Sequence, residues 1–376
     1  MNASLIDTDQ LLSLFSQLVS KDSPSLDERT VCDFLKATLH TMGITAMEDN
    51  AAEKIGGTCG NLYAYLDGSL DLPTLLFCGH MDTVEPSRGK HAVVHDDGTI
   101  TSDGTTVLGA DNAAALACFL GAISALIKHR IPHRPIELLL SACEEDFCTG
   151  SSVFDFSRIR SKQAYVFDLA GPVGSASNQA PTILSFEGVF HGKASHAGFA
   201  PEQGIHAIKA AAAAITAIPC GRIDETMVVN IGTISGGVTY NIVPETCRFT
   251  GEIRGYDDTR VVEQLDKIRT ICQQTAAEYG ASADVRCISH RVVAYRTPED
   301  HPVIQRYQRA CAQLGLPYSL SPTFGGSDNN VLASHGITGI VAATAMNQCH
   351  TCQEYTSVEE LTRAAQLVLH LMTAAD

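Results

Sequence analysis

Leu11, Leu12, Phe15, Leu18 and Val19 recur at three- and four-residue spacing, which predicts an amphipathic helix over residues 9–19. Residues 27–42 repeat the pattern and stop at Gly43, where a glycine suits a helix C-terminus. Shorter apolar runs at 61–66, 74–78, 136–142 and 164–167 predict strands. Between the second and third of these, residues 112–129 form an alanine-rich helical stretch that ends at Ile131-Pro132. Strands alternating with helices imply a mostly parallel sheet with helices on both faces.

The pattern changes near Asn178-Gln-Ala-Pro181. A strand at 183–191, a helix at 203–218, strands at 227–234 and 247–255, a helix at 259–280 and a strand at 284–291 follow. That βαββαβ order predicts a ferredoxin-like unit with a four-stranded sheet and two helices on one face. The first pattern resumes after residues 295–298, with a helix at 302–314, a strand at 337–343 and a closing helix at 357–373. The expected architecture is a discontinuous α/β domain of residues 1–179 and 296–376, with an inserted α+β domain at 180–295.

Composition narrows the partners. Acidic residues outnumber basic ones 42 to 26, a formal charge of −16. That argues against nucleic acid and anionic membrane as partners and suits cation binding. The longest apolar stretch is read at 207–218, interrupted by Lys209, so no membrane span is expected. The acidic start Met-Asn-Ala-Ser-Leu-Ile-Asp lacks the basic region of a leader. The 13 cysteines are scattered and odd in number, which favours reduced thiols in a cytoplasmic protein over a disulfide framework. Cys349-His350-Thr351-Cys352 is formally a CxxC, without a second such pair.

The chemistry-bearing residues fall where apolar strands end. Gly79-His80-Met81-Asp82 closes one strand, and in extended backbone His80 and Asp82 point the same way. Asp82 would then hold one ring nitrogen while the other faces a metal. Asp111 opens the helix at 112, Asp168 ends the 164–167 strand, and both equally suit helix caps. Glu144, Glu145 and Asp146 follow the 136–142 strand. Clustered acids there are either a solvated loop or a cation site. Glu144 and Glu145 face opposite ways, so one ligates and the other meets a water as general base. His350 lies in a loop after the last strand. Together His80, Asp111, Glu145, Asp168 and His350, with Glu144 to spare, suit two zinc ions bridged by a carboxylate. Cobalt or manganese are the expected substitutes. Sites in open α/β sheets gather at the carboxyl ends of strands.

In order and spacing, GHMDTV (79–84), LGADNAAALA (108–117), SACEED (141–146), VFD (166–168), KASHAG (193–198), NIVPE (241–245), GEIRGYD (251–257), GGSDNN (325–330) and CHTCQEYTSV (349–358) resemble the di-zinc metallopeptidase superfamily of aminoacylase, carnosinase, succinyl-diaminopimelate desuccinylase and peptidase T. The peptidase T-like branch is the most similar. The resemblance implies that His80 and Asp168 bind one zinc, Glu145 and His350 the other, and Asp111 both. It implies a cis Asp111–Asn112 peptide, Asp82 orienting His80, and Glu144 activating the water. His196, on the inserted lid and dimerisation domain, would stabilise the oxyanion, supplied in several relatives by a partner subunit. Asn241 and Arg254 would contact a substrate carboxylate, and Gly325 and Gly326 would admit the substrate close to backbone.

The resemblance implies an aminopeptidase on short peptides, with aspartate at 168 favouring that over deacylation. An amidohydrolase of N-acyl amino acids with the same metal site is the alternative. A non-catalytic zinc-binding or redox protein built on Cys349 and Cys352 is the third reading. That reading has no use for Glu144.

Overall fold

The computed structural model describes residues 5–374; residues 1–4, where the expectation about a leader begins, and 375–376 lie outside them. Two compact units emerge. One takes the chain up to Gln179, Arg296–Thr323 and everything from Ser327 on; the other takes Ala180–Tyr295 with Phe324–Gly326.

The first unit is built on an eight-stranded sheet. Its order is Ala46–Glu48, Leu62–Leu66, Ile136–Ser141, Leu75–His80, Gln163–Leu169, Thr338–Ala343, Ser175–Ser177 and Ser319–Leu320. The middle of the sheet is parallel: Leu75–His80 runs alongside both Ile136–Ser141 and Gln163–Leu169, and the latter alongside Thr338–Ala343. Antiparallel pairs lie towards both edges. Leu75–His80 and Ile136–Ser141 are buried at every position, which is why both are mostly apolar; Glu137 is a buried exception, its carboxylate accepting from Tyr63 and from the Arg160 and Ser161 N–H groups. Phe77 meets Phe119 edge-on at 6.0 Å between ring centroids, and Phe119 meets Phe167 at 5.6 Å, tying the Ala110–His129 helix to two central strands. That helix also packs against Thr8–Val19 and Val358–Thr373.

Ala110–His129 corrects one sequence expectation. It is long and apolar enough to cross a membrane, yet 83% of its apolar window is buried inside the protein. Its apolarity reflects a helix covered on all sides by sheet and helices.

The second unit carries a five-stranded antiparallel sheet, ordered Gly221–Asp224, Met227–Gly236, Thr246–Gly255, Thr182–His191 and Ser282–Cys287. Four of these strands were expected. Gly221–Asp224 is a short, largely exposed edge strand whose residues show no apolar alternation. The helices Ala207–Ala217 and Asp258–Glu278 pack on one another and on the sheet. Leu184, Phe186 and Phe190 point to that face at two-residue spacing, against Ala210, Ala214, Leu265 and Ile268. Gly188 falls in the same register because a Cβ there would come 2.7 Å from Phe249 Cζ. The first helix starts later than expected: a 3₁₀ turn at Pro201–Gln203 precedes it, and the Ile205 backbone pairs with Lys193.

Candidate metal centre

His80 ends a central strand and is buried. Its Nδ1 faces Asp82, 3.0 Å from the backbone carbonyl and 3.2 Å from Oδ1. Its Nε2 faces the other way, 3.1 Å from Asp111 Oδ1 and 3.5 Å from Asp168 Oδ1. The second oxygen of Asp111 lies 3.3 Å from His350 Nε2, which is 3.1 Å from Glu145 Oε1. Two donor groups result, His80–Asp111–Asp168 and Asp111–Glu145–His350, sharing one carboxylate.

Each side chain is set by local backbone. Asp111 sits after Gly109, which has φ +75°, and before a cis Asp111–Asn112 peptide. Asn112 Oδ1 accepts the His80 backbone N–H at 3.3 Å, and its Nδ2 donates to Phe167 O at 2.7 Å and to Asp168 Oδ1 at 3.2 Å. A Cβ at Gly79 would lie 2.5 Å from that Asn112 oxygen, so glycine precedes the histidine to leave room for the amide.

The loop carrying Glu144 and Glu145 leaves the sheet with its backbone donors held by side chains. The N–H groups of Ala142, Cys143, Glu144 and Glu145 donate to Asn61 Oδ1 (3.1 Å), Glu28 Oε1 (3.0 Å), Asp82 Oδ1 (2.9 Å) and Asp82 Oδ2 (3.1 Å). Buried donors that have lost their strand partners need such acceptors. Ser25 Oγ donates to Asp82 at 2.7 Å. His350 stands at the end of a loop closed by reciprocal backbone bonds between Asn347 and Tyr355, with its own φ at +64°.

The electrostatics are those of crowded acids in a dry place. Burial, then the charge of Asp168, pushes Glu144 well up. Burial raises Asp168 to about 7 and also raises Glu145. Burial opposes the charge on Asp111 as well, but His350 and His80 outweigh it and hold this carboxyl below the usual range. The neighbouring acids, Asp111 and Glu145 foremost, lift His350 to about 10. Repulsion of this kind is relieved by cations between the acids. Histidine nitrogen and carboxylate oxygen are a donor set for zinc and its neighbours in the first transition row. The residues therefore fit two divalent metal ions.

Some residues belong to this site although their sequence positions did not single them out. Glu354 accepts the N–H groups of Gly109 (2.6 Å) and Asp111 (2.9 Å). Glu28, raised to about 7 by burial and then Asp82, braces Cys143. Asp328, which follows the quoted glycines, is buried beside Glu144 and Cys148 and accepts from Ser141, Ser151 and Cys78. Cys349 and Cys352 join neither donor group, and burial pushes the Cys349 thiol up, away from the thiolate a metal needs.

The remaining expected residues lie on the second unit. His196 is exposed, its Nδ1 accepting the N–H groups of Gly198 (3.1 Å) and Phe199 (3.2 Å), its ring against Phe199. Asn241 is exposed and its backbone carbonyl accepts from Ala197. The Arg254 fork is engaged by Glu252, at 2.6 and 3.1 Å, and by Phe324 O at 2.7 Å. Gly325 and Gly326 end the short piece of chain belonging to this unit. A Cβ at Gly326 would come 2.7 Å from Ile183 Cδ1, the far end of a flexible side chain that would have to shift.

Residues 180–280 match a peptidase dimerisation domain of the M20 type, and residues 61–212 match peptidase family M28. The chain is 35% identical over 371 residues to the uncharacterized protein YqjE of Bacillus subtilis, covering 99% of this chain and 100% of that one. Among solved structures, aminopeptidase PepT from Bacillus cereus is 36% identical with a TM-score of 0.89, covering 98% of this chain and 99% of its own. A tripeptidase from Staphylococcus aureus is 30% identical with a TM-score of 0.93, covering 98% of each chain.

Proposed function

This chain belongs to the peptidase T-like branch of the M20 metallopeptidases, and on that premise we propose that it is a cytoplasmic, two-zinc aminopeptidase acting on short peptides. The observation that carries the reading is Asp111, one carboxylate set between His80 and His350, each histidine having a further acid of its own. His80 and Asp168 would hold one ion and Glu145 and His350 the other, with Asp111 available to each. Two such ions supply polarisation of the scissile carbonyl and a water acidified to about neutral pKa.

The protein supplies the proton handling. Glu144 stands free of the donor groups that share Asp111, with its proton affinity raised by burial and Asp168, as a general base at neutral pH requires. It takes a proton from the attacking water and returns it to the departing amine nitrogen. Asp82 keeps the His80 ring turned, leaving Nε2 towards Asp111. His196 is the oxyanion donor of this reading, with Asn241, Arg254, Gly325 and Gly326 as substrate contacts. A substrate carboxylate would replace Glu252 on the Arg254 fork. The free, scattered thiols suit a cytoplasmic location.

Homodimerisation through the second unit is part of the proposal. Gly221–Asp224 pairs only as far as Val229, and among the described residues no strand covers that side of residues 230–236. Such an edge suits pairing with a second copy. Sedimentation velocity reads it directly, and a monomer at micromolar concentration would remove this part.

The activity is tested on protein stripped with a chelator and reloaded with zinc, cobalt or manganese. Tripeptides with free N-termini should be cleaved and their N-acetylated counterparts spared. Cleavage of the acetylated series alone would replace the aminopeptidase with a deacylase. Histidine 196 is tested by His196→Ala, expected to lower kcat with metal content unchanged.

A further inference from the structure

We propose that Glu354 is a positioning residue that fixes Asp111 against His350 by clamping the backbone of residues 109–111. The inference rests on the two-metal reading of the Asp111 site. Glu354 is buried, and its two carboxylate oxygens divide the work: Oε2 accepts from Gly109 N and Oε1 from Asp111 N. These donors are separated from it by 245 and 243 residues. They stand at the front of the Ala110–His129 helix, where N–H groups have no partner within the helix. Among the described residues no side chain of that turn caps the helix itself, so the acceptor comes from elsewhere in the chain.

Glu354 also belongs to the stem of the His350 loop. Its own N–H donates to Thr351 O at 3.1 Å, the next residue, Tyr355, closes the loop on Asn347, and Tyr355–Ser357 pairs with Thr99–Thr101. The carboxylate therefore joins two backbone segments, one carrying Asp111 and one carrying His350. Gly109 takes φ +75° and packs on Lys90, where a Cβ would come 2.8 Å from Lys90 Cε, so the turn is held from its other side as well. A residue that serves only as a helix cap would cost stability when changed. A residue that sets the spacing of Asp111 and His350 must change metal binding, since Asp111 belongs to both donor groups.

The experiment is a cobalt titration of metal-stripped wild type, Glu354→Gln and Glu354→Asp, read by visible absorption, with circular dichroism melts alongside. Glutamine keeps the shape but turns an N–H₂ towards one of the two backbone donors. The expected result is two equivalents in wild type, and in Glu354→Gln a folded protein with at least one equivalent weakened 10–100-fold and an altered spectrum. If the glutamine variant does not fold, Glu354→Asp, which keeps both acceptors one methylene short, is read the same way. Wild-type affinity and spectrum in the folded variants would overturn the positioning role alone. Fewer than two equivalents in wild type would overturn the two-metal reading and the clamp with it.

Discussion

His80 Nδ1 lies 3.0 Å from the backbone carbonyl of Asp82 and 3.2 Å from its carboxylate, so a single residue offers both acceptors to the ring nitrogen that faces away from Asp111. The carboxylate has a second task, accepting the backbone N–H groups of Glu144 and Glu145. Burial opposes its charge, but His80 and the other donors hold Asp82 below the usual carboxylate range. One acid thus orients a residue of one donor group and the backbone beneath a residue of the other.

Asp82→Ala should therefore disturb both metal equivalents. His80 keeps the carbonyl acceptor, which limits its loss, whereas the Glu144 and Glu145 N–H groups are left buried without a partner. The expected cost is about 3 kcal/mol of stability and a roughly 10–100-fold weaker metal affinity. Isothermal titration with zinc and urea melts measure the two. A variant that loses stability yet binds both ions as before would confine Asp82 to a structural part.

Glu144→Gln separates proton transfer from metal binding. The side chain lies outside both donor groups that share Asp111, and its Oε1 accepts from the Cys148 thiol at 3.3 Å. Glutamine preserves that contact and cannot take a proton. Metal content should stay at the wild-type value while kcat falls by about 10²–10⁴. Retained turnover would remove the general base from Glu144; lost metal would make it a ligand.

Local patterns revealed some of this site and concealed the rest. The Pro302–Leu314 helix is legible residue for residue, with proline in its first turn and Gly315 at φ +66° ending it. His80, Glu144, Glu145 and Asp168 are legible because each acid or histidine closes or follows an apolar run; the structure gathers His80, Glu145 and Asp168 around Asp111 with His350, and sets Glu144 beside them within reach of the Asp168 charge. Glu28, Asn112, Asp328 and Glu354 gave no such signal. Their meaning lies in bonds to residues 32 to 245 positions away, which no local periodicity encodes. Arg254 shows the converse difficulty. Its strand position was readable, but not the Glu252 partner two residues back on the same face.

Lys90 gives the fold a distinct alkaline signature. The side chain is buried, its Nζ donating to the Lys21 carbonyl, and burial lowers it from the ordinary 10.5 to about 8 although Asp22, Glu85 and Glu354 pull the other way. Between those two values the unfolded chain holds a proton that the native protein has released, so stability rises with pH across that window. Above 10.5 the advantage is complete, and it is lost as the pH falls through about 8, where the native state must bury the charge. The shift corresponds to about 3 kcal/mol. Other groups titrate in the same range, so the quantity to measure is the difference between wild type and Lys90→Met in urea melts from pH 7.5 to 10.5. Methionine fills the same space without a titrating group. Wild type should gain on the variant by about 3 kcal/mol across the window, and parallel pH profiles for the two proteins would show that Lys90 keeps an ordinary pKa.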